Sequence, residues 1–146
     1  MKHMSALIAV CLLLPSGSSR ASAQTITVTG NPAPFVVTTA VAGAQPAVLT
    51  SNPTTYTVAG VQNSLKISAG LNAPMPPGTT LTVLLSPLLG STSVGRVTLS
   101  TTVTLLEYDI QDVGTGQITY TFTATAAAGV IPSQSRIVTF TLAAYP

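Results

Sequence analysis

The sequence predicts an all-β fold, one antiparallel β-sandwich. Three observations predict it. Threonine occurs 24 times, always after residue 24, among abundant Val, Ile, Leu and Ala; Thr and Val are stiff at χ1 and suit a pleated, half-buried surface. Short segments alternate apolar and polar residues with period two, as a strand does when one face meets a core and the other meets water. Gly and Pro, 11 of each, punctuate these segments and would break any helix of useful length.

Taken in order, Thr25-Ile26-Thr27-Val28-Thr29 alternates as a half-buried strand, and Gly30-Asn31-Pro32-Ala33-Pro34 stops it. A second strand is expected from Phe35 to Val41, broken by Gly43 and Pro46, and a third from Ala47 to Thr50. Ser51-Asn52-Pro53 reads as a turn, and a fourth strand starts over Thr55 to Ala59. Ser64 to Ala69 places Leu65 and Ile67 on one face and Lys66 on the other. The stretch Asn72-Ala73-Pro74-Met75-Pro76-Pro77-Gly78 is a proline-stiffened connection. Thr80 to Ser86 is a strongly apolar strand, and Pro87 to Gly95 a loop that carries the apolar Leu88 and Leu89. Arg96 to Ile110 is too long for one average strand and reads as two, or as one bent near Ser100–Thr102. Asp112-Val113-Gly114-Thr115-Gly116 reads as a turn.

The last two segments read as a hairpin: Gln117 to Ala126, a loop around Gly129-Val130-Ile131-Pro132-Ser133, then Arg136 to Ala143. Ile118, Tyr120 and Phe122 share one face of the first arm while threonines share the other; Val138, Phe140 and Leu142 share a face of the second. About seven to nine such strands point to an immunoglobulin-like sandwich, without the Cys…Trp…Cys pattern of antibody domains. The expected core is Leu65, Ile67, Leu81, Val83, Tyr120, Phe122, Phe140 and Leu142, because a one-residue slip of register would expose the whole set.

Residues 1–23 read as a secretory signal peptide: Lys2 and His3, an apolar run from Ala6 to Pro15, then Ala21-Ser22-Ala23 as a cleavage site. Residues 24–146 are then the sandwich domain. Cys11 lies inside the apolar run rather than at its end, which disfavours lipid anchoring there. Removing the leader takes away the only His, the only Cys, Lys2 and Arg20. Lys66, Arg96 and Arg136 then face Glu107, Asp109 and Asp112, a formal balance of zero.

That composition excludes several chemistries from residues 24–146. Without His or Cys there is no Ser-His-Asp or Cys-His site and no Cys/His zinc site. With three scattered cations there is no electrostatic footprint for nucleic acid. No disulfide staples the fold, although an exported protein could form one. No later run is long enough for a transmembrane helix, and an outer-membrane barrel would need aromatic girdles and longer strands.

Few side chains are candidates for a site. Glu107 and Asp109, two apart, are expected on one strand face, with Asp112 just beyond; oxygen ligands of this kind can hold calcium. Polar residues at a solvent-facing strand end and turn explain them equally. Paired carboxylates also suit a glycosidase, but aromatic platforms for a sugar are few. Gly90-Ser91-Thr92-Ser93-Val94-Gly95 lacks the nucleophile-elbow spacing and reads as a flexible loop. Asn52-Pro53-Thr54 has Pro where glycosylation forbids it. Lys66 with Glu107 and an Asn could supply an intramolecular Lys–Asn cross-link of the kind found in some bacterial pilin domains, against the simpler reading of a solitary exposed lysine. No catalytic, cofactor-binding or metal-binding residue is assigned, no cofactor is expected and no enzymatic activity is expected.

The Thr-rich body, the alternating Thr25–Thr29 segment and the apolar Arg136–Tyr145 segment with its penultimate Tyr145 together resemble subunits of the chaperone–usher pilus class. The resemblance departs in lacking a cysteine pair and in its short first segment. It implies association by strand addition to an exposed edge, with Thr25 to Thr29 as donor and Arg136 to Tyr145 as acceptor edge. The alternative is that Thr25–Thr29 is the first strand of its own sandwich. The sequence therefore predicts a secreted, non-enzymatic structural or surface-assembly protein, extracellular, at the cell surface or periplasmic, whose partner is itself or another secreted surface protein. The alternative is a monomeric extracellular binding or adhesion module, for instance for carbohydrate, whose exposed aromatics would have to come from Tyr56, Tyr108 and Tyr145.

Overall fold

In a computed structural model, residues 23–37 and 48–146 are described. The leader read over residues 1–23 lies outside them save for Ala23, as do residues 38–47. Among the described residues nine strands form: β1 (Thr25–Thr29), β2 (Leu49–Ala59), β3 (Leu65–Leu71), β4 (Thr79–Leu85), β5 (Thr92–Ser93), β6 (Val97–Thr98), β7 (Thr104–Ile110), β8 (Gly114–Ala124) and β9 (Val138–Ala144), with one 3-10 turn at Ala126–Ala128. They make two antiparallel sheets, ordered β1-β2-β8-β4-β6 and β5-β7-β3-β9. The fold is an all-β sandwich, as expected.

From β3 onward each strand lies in the sheet opposite its predecessor. This corrects the expected hairpin. β8 is flanked on both sides by β2 and β4, so β9 crosses over and pairs with β3 instead. β1 pairs with β2 of its own chain, from Thr25 opposite Ala59 to Thr29 opposite Thr55.

Three other boundaries differ from the expectation. Ser51-Asn52-Pro53 is no turn but part of β2, where the register with β8 shifts between Ser51 and Thr54; the bulge accommodates a proline that cannot donate to a ladder. Gly114 and Gly116 belong to β8 rather than to a turn, opposite Val58 and Tyr56; a Cβ at Gly116 would sit 2.5 Å from Tyr56 Cζ and 2.6 Å from Ser86 O. Phe35, Val36 and Val37 join no sheet; Phe35 stacks on Phe122 at 5.8 Å between ring centroids. The rest of that expected strand lies outside the described residues. Arg96 to Ile110 does contain two strands, β6 and β7, in different sheets.

The core between the sheets contains the expected Leu65, Ile67, Leu81, Val83 and Tyr120. Phe122, Phe140 and Leu142 are half-buried against it. It also takes in Tyr56, Val58, Ala69, Leu71, Leu85, Leu88, Leu99, Leu106, Ile110 and Ile118, so of the apolar loop pair Leu88 is inside and Leu89 is 87% exposed. The outer face of the five-stranded sheet carries threonines in cross-strand rows, Thr27–Thr57–Thr115 and Thr50–Thr121–Thr82–Thr98. Thr57 and Thr115 hydroxyls lie 2.9 Å apart, the Thr82 hydroxyl donates to Thr121 O at 3.4 Å, and the Thr121 hydroxyl accepts from Arg96 Nη1.

Candidate functional site

The carboxylates do not converge. β7 pairs with β3 with register shifts on both sides of Ile67, so the adjacent Leu106 and Glu107 both turn inward where regular alternation would send one out. Glu107 is fully buried. Its Oε2 accepts from the Tyr56 hydroxyl at 2.5 Å, and its Oε1 accepts from the Leu88 N–H at 2.9 Å and from the Ser91 hydroxyl. The Tyr56 hydroxyl also lies 2.8 Å from Ser86 O. A carboxylate removed from water needs such donors. Burial, and then the hydrogen bond and charge of Glu107, hold the Tyr56 phenol far above its ordinary range.

This corrects the expected acidic face. Asp109 adopts φ 58°, a left-handed conformation that Asp tolerates better than most residues. Its Oδ1 accepts from Ser64 Oγ at 3.0 Å and from Gln111 Nε2 at 2.9 Å. Asp112 is exposed. Among the described residues no group of three or more His, Cys, Asp or Glu side chains could hold a metal ion. Glu107, its oxygens occupied inside the protein, is not presented to a sugar or a cation; it ties β2 and β7 to the loop after β4.

Lys66 is half-buried between the buried Leu65 and Ile67, hence on the outer face of β3, while Glu107 opposite Ile67 points inward. The two cannot share a cross-linking site. The loop expected to be flexible is pinned: Ser91 Oγ, which bonds Glu107, also lies 2.9 Å from Leu88 O, and Ser93 Oγ donates to Leu85 O at 3.1 Å. Its hydroxyls serve structure.

What the fold leaves available is one side of the sandwich. On the opposite side the edge strands β5 and β6 are two residues each, a common way of blunting an edge. Here the edges are β1, five residues, and β9, seven residues, neither bearing a charge. Asn72 N–H donates to Ile137 O at 3.1 Å and Tyr145 N–H to Ser64 O at 2.8 Å. Alternate residues of an antiparallel strand direct both main-chain groups to the same neighbour, so Val138, Phe140, Leu142 and Ala144 direct theirs away from β3. No second described strand pairs with β9. The space between the two sheets opens on this side into a groove of about 1630 Å³ walled by Phe35, Leu81, Phe122, Val138 and Phe140. Thr54, buried in its wall, has the one buried side-chain polar atom without a partner among the described residues.

No family model matches the chain, and no curated protein or solved structure matches it.

No helix among the described residues is long and apolar enough to cross a membrane. Of the aromatics weighed for binding, Tyr56 is buried, whereas Tyr108 and Tyr145 meet on the four-stranded sheet with ring centroids 5.1 Å apart and planes at 36°. Sequence reasoning missed the Tyr56–Glu107–Ser91 network. Its only signals were an acidic residue inside an apolar strand and an apolar pair inside a loop.

Proposed function

We propose that the protein is a non-enzymatic, secreted structural subunit that associates through strand edges. The observation that carries this reading is the β9 edge: seven uncharged residues with the main-chain groups of Val138, Phe140, Leu142 and Ala144 turned outward. Long, flat, apolar edges without Lys, Pro or inward charge are templates for another strand. The asymmetry supports it further, since only the other side of the sandwich has its edges shortened. A strand added to β9 would also cover the apolar groove beside it. The leader read at residues 1–23 supports export, and the low charge suits an assembled state better than a free monomer.

Light scattering after size exclusion, with electron microscopy of the same fractions, tests the reading. Wild type is expected to form higher-order species as concentration rises. Ala144→Pro removes an outward N–H while leaving the ladder to β3, and Thr141→Lys adds an edge charge; both are expected to shift the protein to monomer with its melt unchanged. Wild type that stays monomeric at all concentrations rejects association and leaves the monomeric binding module as the better account.

A further inference from the structure

We infer that Tyr108 and Tyr145 form a site of oxidative cross-linking, a carbon–carbon bond between two phenols that ties the end of β9 to β7. The order β7-β3-β9 puts these strands on opposite sides of β3, and the two rings close the gap over it, with centroids 5.1 Å apart at a 36° tilt. Both residues are half-buried, each with part of its surface open to solvent. The other two tyrosines are placed differently: Tyr56 is fully enclosed with its hydroxyl bonded to Glu107, and Tyr120 is 5% exposed. Position therefore selects one pair of four. Two reactive groups already in contact react as an intramolecular pair, at effective concentrations far above those of separate molecules. Residues 24–146 contain no cysteine, so this pair is where the described fold can gain a covalent tie between strands.

The chemistry balances with a one-electron oxidant of the haem-peroxidase class and hydrogen peroxide. Each phenol loses one electron and its hydroxyl proton to give a phenoxyl radical. The two radicals couple between ring carbons ortho to the oxygens, and the hydrogens displaced from those carbons return to the oxygens. One peroxide takes up the two electrons and two protons and leaves as two waters. The inference does not rest on the association proposed above, because the bond lies within one chain.

The test treats the purified protein, with Cys11 alkylated where it is retained, with a haem peroxidase and hydrogen peroxide at increasing dilution. The expected product has the blue fluorescence of bityrosine, a mass lower by two hydrogen atoms, monomer mobility on a denaturing gel and a rate independent of protein concentration. Proteolysis is expected to release one peptide pair joined through Tyr108 and Tyr145. Tyr108→Phe and Tyr145→Phe, which keep the aromatic ring, are each expected to abolish the product, whereas Tyr120→Phe leaves it. The joined protein is expected to melt at a higher temperature. Bityrosine that appears only in covalent dimers, that slows with dilution, or that survives in Tyr145→Phe overturns the inference, as does its absence in a wild type that is folded by circular dichroism.

Discussion

The Tyr56 hydroxyl donates to Glu107 Oε2 at 2.5 Å across the interior, joining β2 of one sheet to β7 of the other. The same carboxylate takes the Leu88 N–H and the Ser91 hydroxyl, so one acidic side chain fixes three segments. Removing it leaves several buried donors unpaired. Glu107→Ala is expected to cost about 3 kcal/mol, since each unsatisfied buried group costs about 1–3 kcal/mol. Glu107→Gln keeps an oxygen for Leu88 and Ser91 and an amide donor for the Tyr56 oxygen, and is expected to cost about 1 kcal/mol. Urea denaturation of the two variants checks the ordering; equal losses would mean that the charge, not the bonding pattern, is what matters.

Alkaline pH should probe the buried phenols. Burial pushes Tyr120 up to about 12, and Tyr56 is raised further by burial and by Glu107. The unfolded chain releases phenolic protons near pH 10, before the folded protein does. Stability is therefore fully present below pH 10 and falls as pH climbs from there through about 12, by at most about 1.4 kcal/mol per pH unit for each phenol. Melting temperatures between pH 9 and pH 12 measure this. Tyr120→Phe is expected to flatten the slope.

Gly116 lies in register with Tyr56 on the neighbouring strand, and the tyrosine ring occupies the place of its missing side chain. Gly116→Ala is expected to cost about 3 kcal/mol, as overpacking does in a filled core, and adding Tyr56→Leu is not expected to recover it, because a Cβ there also lies 2.6 Å from Ser86 O and the change takes a donor from Glu107. A thermal melt of the single variant matching wild type would show that the ring moves aside freely.

The first strand should behave as part of its own sandwich. Deleting residues 24–30 strips the ladder from β2 and removes the half-buried Ile26, which packs against the core. A loss of about 1–2 kcal/mol is expected from Ile26 alone, and the melt should drop accordingly. If the shortened protein melts like wild type and merely loses oligomers, β1 acts between molecules instead.

Phe122 is only half-buried, stacked on Phe35. Phe122→Ala is expected to cost about 2 kcal/mol, below the 3–5 kcal/mol typical of an enclosed phenylalanine. Differential scanning calorimetry checks this, and Phe35→Ala should show a smaller loss of the same sign.

Period-two alternation reports which face of a strand is apolar, and Leu65, Ile67, Val83 and Tyr120 are buried as their phase requires. It carries no information about the partner strand, which is why β8 and β9 read as a hairpin although they lie in different sheets. Glu107 was hidden for a related reason. A bulge leaves no trace in alternation, and two consecutive inward residues look like one inward and one outward. The glycines of β8 read as a turn because glycine's usual role is local freedom; here Gly116 makes room for an aromatic ring on the next strand.

The alternation of successive strands between sheets bears on how the chain reaches this state. Among β2 to β9 no two neighbours in sequence pair with each other, so none can form early as a local hairpin. Ile67 must find both Glu107 and Leu142, and the entropy of closing such long loops is lost before any contact compensates it. Folding is accordingly expected in the millisecond-to-second range of high contact-order β proteins. Partial chains gain little, because each sheet interleaves segments from most of the sequence. A cut between β4 and β7 would separate strands that belong to both layers at once, and neither fragment would retain a complete sheet.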